Sequence, residues 1–83
     1  MKVLTAEEVR ALPVGSIVRV HGLDKFKYPC FLDMKVIQKD KHKELKCFDY
    51  YLGQSVVKKI KKMPENDPYH YYELREGGNA GYV

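Results

Sequence analysis

The stretch from Cys30 to Gln38 sets the strongest limit on how this chain folds. Cys30, Leu32, Met34 and Val36 alternate with positions that include Asp33 and Lys35. A period of two puts the apolar set on one face of an extended strand and the charged set on the other. Such a strand lies half against a core and half against water, the usual condition of an antiparallel sheet. Directly after it, Lys39-Asp40-Lys41-His42-Lys43 is wholly polar, and Glu44 to Leu52 is apolar and aromatic again. Two such runs around a short polar tip read as a hairpin. Alternation in the second run is less regular, because Phe48-Asp49-Tyr50-Tyr51 places aromatics on both faces, and Gly53-Gln54 ends it.

Upstream, Thr5-Ala6-Glu7-Glu8 has the form of a capping box, with Thr5 as N-cap and Glu8 three residues on. The Thr5 hydroxyl can accept from the Glu8 N–H while the Glu8 carboxylate accepts from the Thr5 N–H. Leu4 and Val9 are spaced for the accompanying hydrophobic staple. Pro13 stops the helix, since the residue before a proline avoids the α region. This predicts a two-turn helix over about residues 6–11, with Val9 and Leu12 toward the core. Residues 16–21 are rich in β-branched side chains and read as a strand, and 22–29 read as a loop by their Gly, Asp and Pro.

Residues 55–63 fit two readings. Val56, Val57, Ile60 and Met63 follow helical spacing and Ser55 could cap a helix, whereas Val-Val and Ile favour a strand. The short links to neighbouring strands tip the balance to strand. Pro64 to Pro68 is a turn, Tyr69 to Arg75 a last strand, and Gly77 to Gly81 a flexible stretch.

With 83 residues, the chain has room for one domain. A domain of that size buries about 60% of its unfolded surface, so its core is small but sufficient. A hydrophobic share of 45% supports a packed globule rather than disorder. No apolar run approaches the roughly 18 residues of a membrane span. Met1-Lys2-Val3-Leu4 lacks a signal-peptide core, so a cytoplasmic protein is expected. The expected organisation is one barrel-like domain over residues 1–76 and a Gly-rich tail over 77–83.

Cys30 and Cys47 are too few for a disulfide-built scaffold, and their apolar neighbours mark them as small buried hydrophobes. With His21, His42 and His70 they show no compact ligand spacing, so neither a metal nor another cofactor is expected. Catalysis finds no support either. There is no Gly-x-Ser-x-Gly, the sole Gly cluster is near the end of the chain, and Glu7 and Glu8 are accounted for by capping. A non-enzymatic role follows as the expectation.

The fold class expected is mostly β (α+β): a short N-terminal helix, then a four- or five-stranded antiparallel sheet curled into a small barrel. The long 22–29 loop after the first strand, followed by a tight charged hairpin, resembles the layout of SH3-like barrels. The helix ahead of the first strand resembles the Sm-like variant. The Asp and Gly pattern of Sm proteins is absent, so no RNA-binding residues carry over. The opening from Leu4 to Ser16 also resembles small phage and mobile-element proteins, which implies a small inhibitor of a host or defence protein as one role.

Two features point to binding. The net charge of +4 resolves into two lysine groups, Lys39, Lys41 and Lys43 at the hairpin tip and Lys58, Lys59, Lys61 and Lys62 further on, while residues 64–76 are acidic. Lysines neutralise phosphates, and exposed aromatics stack on bases. Tyr69, Tyr71 and Tyr72 supply candidate aromatics, with Tyr50 and Tyr51 as further stacking faces, and exposed tyrosines equally suit protein partners. In the last strand Tyr69 and Tyr71 share one face and His70, Tyr72 and Leu74 the other, so one set is expected to be exposed. Lysines at hairpin tips and edges also have an ordinary use in preventing edge-to-edge association. A protein partner or a homodimer is therefore the leading expectation and nucleic acid the alternative. Lysines gathered on one face beside a tyrosine would favour nucleic acid. Scattered lysines with an exposed aromatic patch would favour protein.

Overall fold

The computed structural model describes residues 2–75. The expected tail at 77–83 lies outside the described residues. In chain order the elements are β1 (Val3–Leu4), α1 (Ala6–Ala11), β2 (Ile17–Leu23), β3 (Pro29–Lys39), β4 (His42–Asp49), β5 (Gln54–Lys59) and β6 (Tyr71–Leu74).

The helix forms as its sequence dictates. Glu8 N–H donates to Thr5 Oγ1 at 3.1 Å and Thr5 N–H to Glu8 Oε1 at 3.0 Å. The Thr5 backbone bond holds the Glu8 carboxyl below its usual pKa. Leu4 and Val9 are both buried in the core. Leu12 turns extended ahead of Pro13, and its N–H donates to Val9 O. Gly15 then takes φ 99°, which other residues rarely adopt, and its N–H donates to Val36 O at 2.8 Å.

All strand pairs are antiparallel, in the order β1-β6-β2-β3-β4-β5. The hairpin joining β3 to β4 is tighter than its polar tip suggested. Lys39 pairs with His42, leaving Asp40 and Lys41 as the turn, with Asp40 at φ 53°. Residues 54–59 form a strand, which resolves the ambiguity of that segment for its first half, and Ile60 then turns into the core. The final strand is shorter than expected, starting at Tyr71. The two-residue β1 was not anticipated; it exists because β6 offers it an edge, pairing Leu4 with Tyr72.

The sheet stays open and does not close into a barrel. β1 and β5 end the sheet and do not pair with each other. The eleven-residue β3 serves two halves. Its residues 29–35 pair with β2, and only 35–39 pair with β4. Beyond Lys46, β4 leaves β3 and continues with β5 alone. The space between β5 and β6 is crossed by a strap, residues 60–70, which makes no ladder. Pro64 and Pro68 lack the N–H that a ladder needs.

What joins the strap to the sheet is a side chain. Tyr72 Oη accepts from Lys61 N–H and donates to Lys61 O, both at 3.0 Å. Arg10 Nη2 donates to Ile60 O at 2.6 Å, tying the helix to the same strap. Inside lie Leu4, Ala6, Val9, Val18, Met34, Val36, Leu45, Ile60 and Tyr72. Each such large side chain contributes about 1.5–3 kcal/mol by leaving water. Met34 and Val36 bear out the alternation of β3, but Leu32 and Cys30 on the same face are exposed. Their end of the strand lies past the point where β4 departs, so the inner layer does not cover them. Cys30 is thus not the buried residue expected. Cys47 is half-buried, and burial pushes its thiol pKa up.

Candidate functional site

The lysines do not gather on one face. Register puts Lys58 opposite Leu45 on the inner side and Lys59 opposite Glu44 on the outer side. Lys61 and Lys62 stand on the strap, exposed. At the hairpin tip Lys41 is exposed, but Lys43 is used internally, its Nζ donating to Leu12 O at 2.6 Å. Lys39 lies 3.8 Å from Glu44, a carboxylate that is 4% exposed. Glu44 also lies 3.0 Å from His42 Nε2. The His42 bond, against the cost of burial, and then the charges of Lys39, His42 and Lys59 hold the Glu44 carboxyl below its usual pKa.

The three tyrosines singled out in sequence part company. Tyr72 is a core residue and offers no contact surface; its hydroxyl found partners in the strap, the condition for burying a tyrosine. Tyr71 stacks on His21 with centroids 4.1 Å apart and planes at 13°. Tyr69 is about half exposed.

The most exposed aromatics are elsewhere. Tyr50 is 87% and Tyr51 101% exposed in the turn joining β4 to β5, with Leu52 and Phe48 beside them. The turn has its own internal logic. Asp49 Oδ1 accepts from Tyr51 N–H at 2.9 Å and Leu52 N–H at 3.1 Å, and Gly53 N–H donates to Asp49 O at 2.7 Å. Gly53 sits at φ 67°, in the left-handed region that favours glycine. With its backbone satisfied locally, the turn holds its side chains outward. Phe48 meets Tyr50 edge to face at 4.9 Å. Register places Phe48 opposite Ser55 and Lys46 opposite Val57, so Phe48 and the exposed Val57 share the outer face as diagonal neighbours. A shallow cleft of about 470 Å³ runs from Phe48 and Tyr50 over Ile17 and Ile37, flanked by Lys35 and Lys46.

A second aromatic group tops the turn joining β2 to β3. Asp24 Oδ1 accepts from Phe26 and Tyr28 N–H groups, and both rings stand in water. In a sheet of sequential antiparallel hairpins, this turn and the β4–β5 turn lie at the same end. Sequence reasoning placed these segments as loop and strand end; it counted Tyr50 and Tyr51 among possible stacking faces but passed over Phe26 and Tyr28. The available signal was large rings among Asp and Gly, residues that satisfy a turn without packing it.

Between these turns the outer face carries a polar network. Arg19 binds Asp33 through two bonds of 2.8 and 3.2 Å, and Arg75 Nη1 reaches the same carboxylate at 2.9 Å. The Asp33 bonds raise the Arg19 pKa, and its guanidinium lies 4.1 Å over the Phe31 ring. His21 Nε2 is 2.8 Å from Glu73. His70 Nδ1 is 3.1 Å from Asp67. Each histidine therefore has a carboxylate partner, which gives these rings a structural use. Among the described residues, no group of three or more His, Cys, Asp or Glu is placed to hold a metal. No described helix is long and apolar enough to cross a membrane.

Compared with models of protein families, with curated proteins and with solved structures, the chain matches none.

Proposed function

We propose that this chain is a small non-enzymatic binding module that engages another protein, or a second copy of itself, through the β4–β5 hairpin. The observation that carries this reading is the full exposure of Tyr50 and Tyr51 on a turn that is otherwise rigidly bonded. Tyrosine brings large contact area at low entropic cost and is enriched where binding energy concentrates. Phe48 on β4, Leu52 in the turn and Val57 on the edge strand β5 extend the patch. The spread of the lysines over both faces and the strap lends less support to a nucleic-acid footprint. In this reading the curled sheet is an SH3-like barrel left open at the strap. An inhibitor of a host or defence protein is one form such a module takes. The free thiol of Cys30, which is exposed, suits a reducing compartment such as the cytoplasm.

The test uses immobilised wild-type protein and the Tyr50→Ser/Tyr51→Ser variant, each incubated with extract of the source cell. Sedimentation velocity of both forms tests self-association. A protein retained by the wild type and lost by the variant, or a dimer lost in the variant, supports the reading. Retention of nucleic acid alone, or equal behaviour of the two proteins, overturns it.

A further inference from the structure

A second concavity lies on the inner side of the sheet, away from the aromatic hairpin. It is a cleft of about 620 Å³ between the end of β2, strand β5 and the strap. Val20, Leu45 and Met63 form its apolar side, and Lys58, Lys61 and His70 its polar side. That volume is within the usual range for small-molecule sites, about 300–1,000 Å³.

Each polar group is placed by a specific feature. Lys58 is in register with the buried Leu45, so it occupies an inward position of β5. Val56, two residues earlier on the same face, is partly buried. A lysine there breaks the apolar alternation, and such breaks concentrate at functional sites. Lys61 projects from backbone clamped at both its N–H and its carbonyl by Tyr72. The His70 ring is held by Asp67 at Nδ1, so in the imidazolium form its Nε2–H is left to donate to an anionic ligand, and its Cδ2 packs toward Gly22.

Charge at this cleft is one-sided. Among the described residues lining it, Asp67 is the sole carboxylate. Its oxygens are occupied by the Tyr69 and His70 N–H groups and the His70 ring. Lys59 also borders the cleft but faces Glu44 in register. Two ammonium groups and an imidazole thus meet over an apolar wall with no free acid opposite.

We propose that this cleft binds a small phosphate-bearing molecule with an apolar ring, the phosphate on Lys58, Lys61 and His70 and the ring against Val20, Leu45 and Met63. Lysine supplies three donors and a compact charge suited to phosphate, and the apolar wall rewards a ring that inorganic phosphate lacks. This site is independent of the aromatic hairpin, so either can fail alone.

The probe is phenyl phosphate, titrated into the full chain and followed by amide and side-chain NMR shifts, with inorganic phosphate and phenol as separate arms. Saturable shifts confined to residues around Val20–Leu23, Lys58–Met63 and His70 are expected. Each half-molecule should bind at least about tenfold more weakly, and Lys58→Gln/Lys61→Gln should weaken phenyl phosphate by about tenfold or more. Both lysines are exposed, so the variant keeps the fold. Lys35→Gln/Lys46→Gln, a cross-strand pair on the opposite face of the sheet, should change nothing. Absence of saturable shifts in the cleft at millimolar probe overturns the proposal. So do shifts that follow lysines everywhere, or binding that survives loss of Lys58 and Lys61.

Discussion

Tyr72 on β6 and the pair Tyr50 and Tyr51 beyond β4 carry the same side chain in opposite surroundings. Tyr72 is 1% exposed, its ring in the core and its hydroxyl both donating to and accepting from Lys61. Tyr50 and Tyr51 are in water, because Asp49 and Gly53 already satisfy the backbone of their turn. What separates them is whether a polar partner lies in reach of the ring's buried position. The strap supplies one, since residues 60–63 must cross the open seam unladdered and so present a free N–H and carbonyl. The hairpin turn supplies none. Interior contacts gather at the seam, and the proposed recognition surface is at the turn.

The largest effect that would break this comparison is at the seam. Tyr72→Ala should cost about 3–5 kcal/mol, measured by urea unfolding, because it removes a core ring and frees the strap. Tyr72→Phe keeps the ring and should cost about 1–3 kcal/mol, since the Lys61 N–H and carbonyl lose their partner. A Tyr72→Phe protein as stable as wild type would show that the strap is held by packing alone.

The helix cap gives a smaller effect. Thr5→Ala should cost about 1 kcal/mol in the same assay. Acid sensitivity follows from Glu8, Glu44 and Asp67, each held below its usual pKa by hydrogen bonds to its charged form. A lowered folded pKa means stability that is complete above the unfolded value, and is lost as pH falls through the folded one. Unfolding free energy should therefore decline below about pH 4. Glu44→Gln should flatten that slope, and an unchanged slope would mean that the buried carboxylate carries no proton linkage. Tyr51→Ser should change stability by less than about 0.5 kcal/mol while weakening partner capture. A large loss of stability instead would place Tyr51 in the structure's support and remove the comparison.

Much of the fold was legible where the determining contacts are local. Thr5 and Glu8 meet within one turn, Pro13 acts on its immediate neighbour, and the alternation through Met34 and Val36 is a property of one strand. Features set by distant partners were not legible. Arg10 reaches Ile60 across fifty positions, and His21 meets Glu73 across fifty-two. The exposure of Cys30 depends on where β4 departs from β3, which no pattern within β3 encodes. The β4–β5 hairpin was legible only in part: the break at Gly53-Gln54 was read, but helix and strand competed for residues 55–63, and its tyrosines had no assigned surroundings until the neighbouring elements were placed.

The amino-acid sequence by itself determined the capped helix, the antiparallel character, and the parity that sets Tyr72 and Tyr71 on opposite faces. Parity says which residues share a face and not which face is covered. The tertiary structure alone decided that the strap covers the face of Tyr72 and that the sheet stays open. It also decided that the lysines divide between two sides. The reason is physical: coverage depends on where residues 60–70 cross, and that path is set by contacts between segments far apart in the chain.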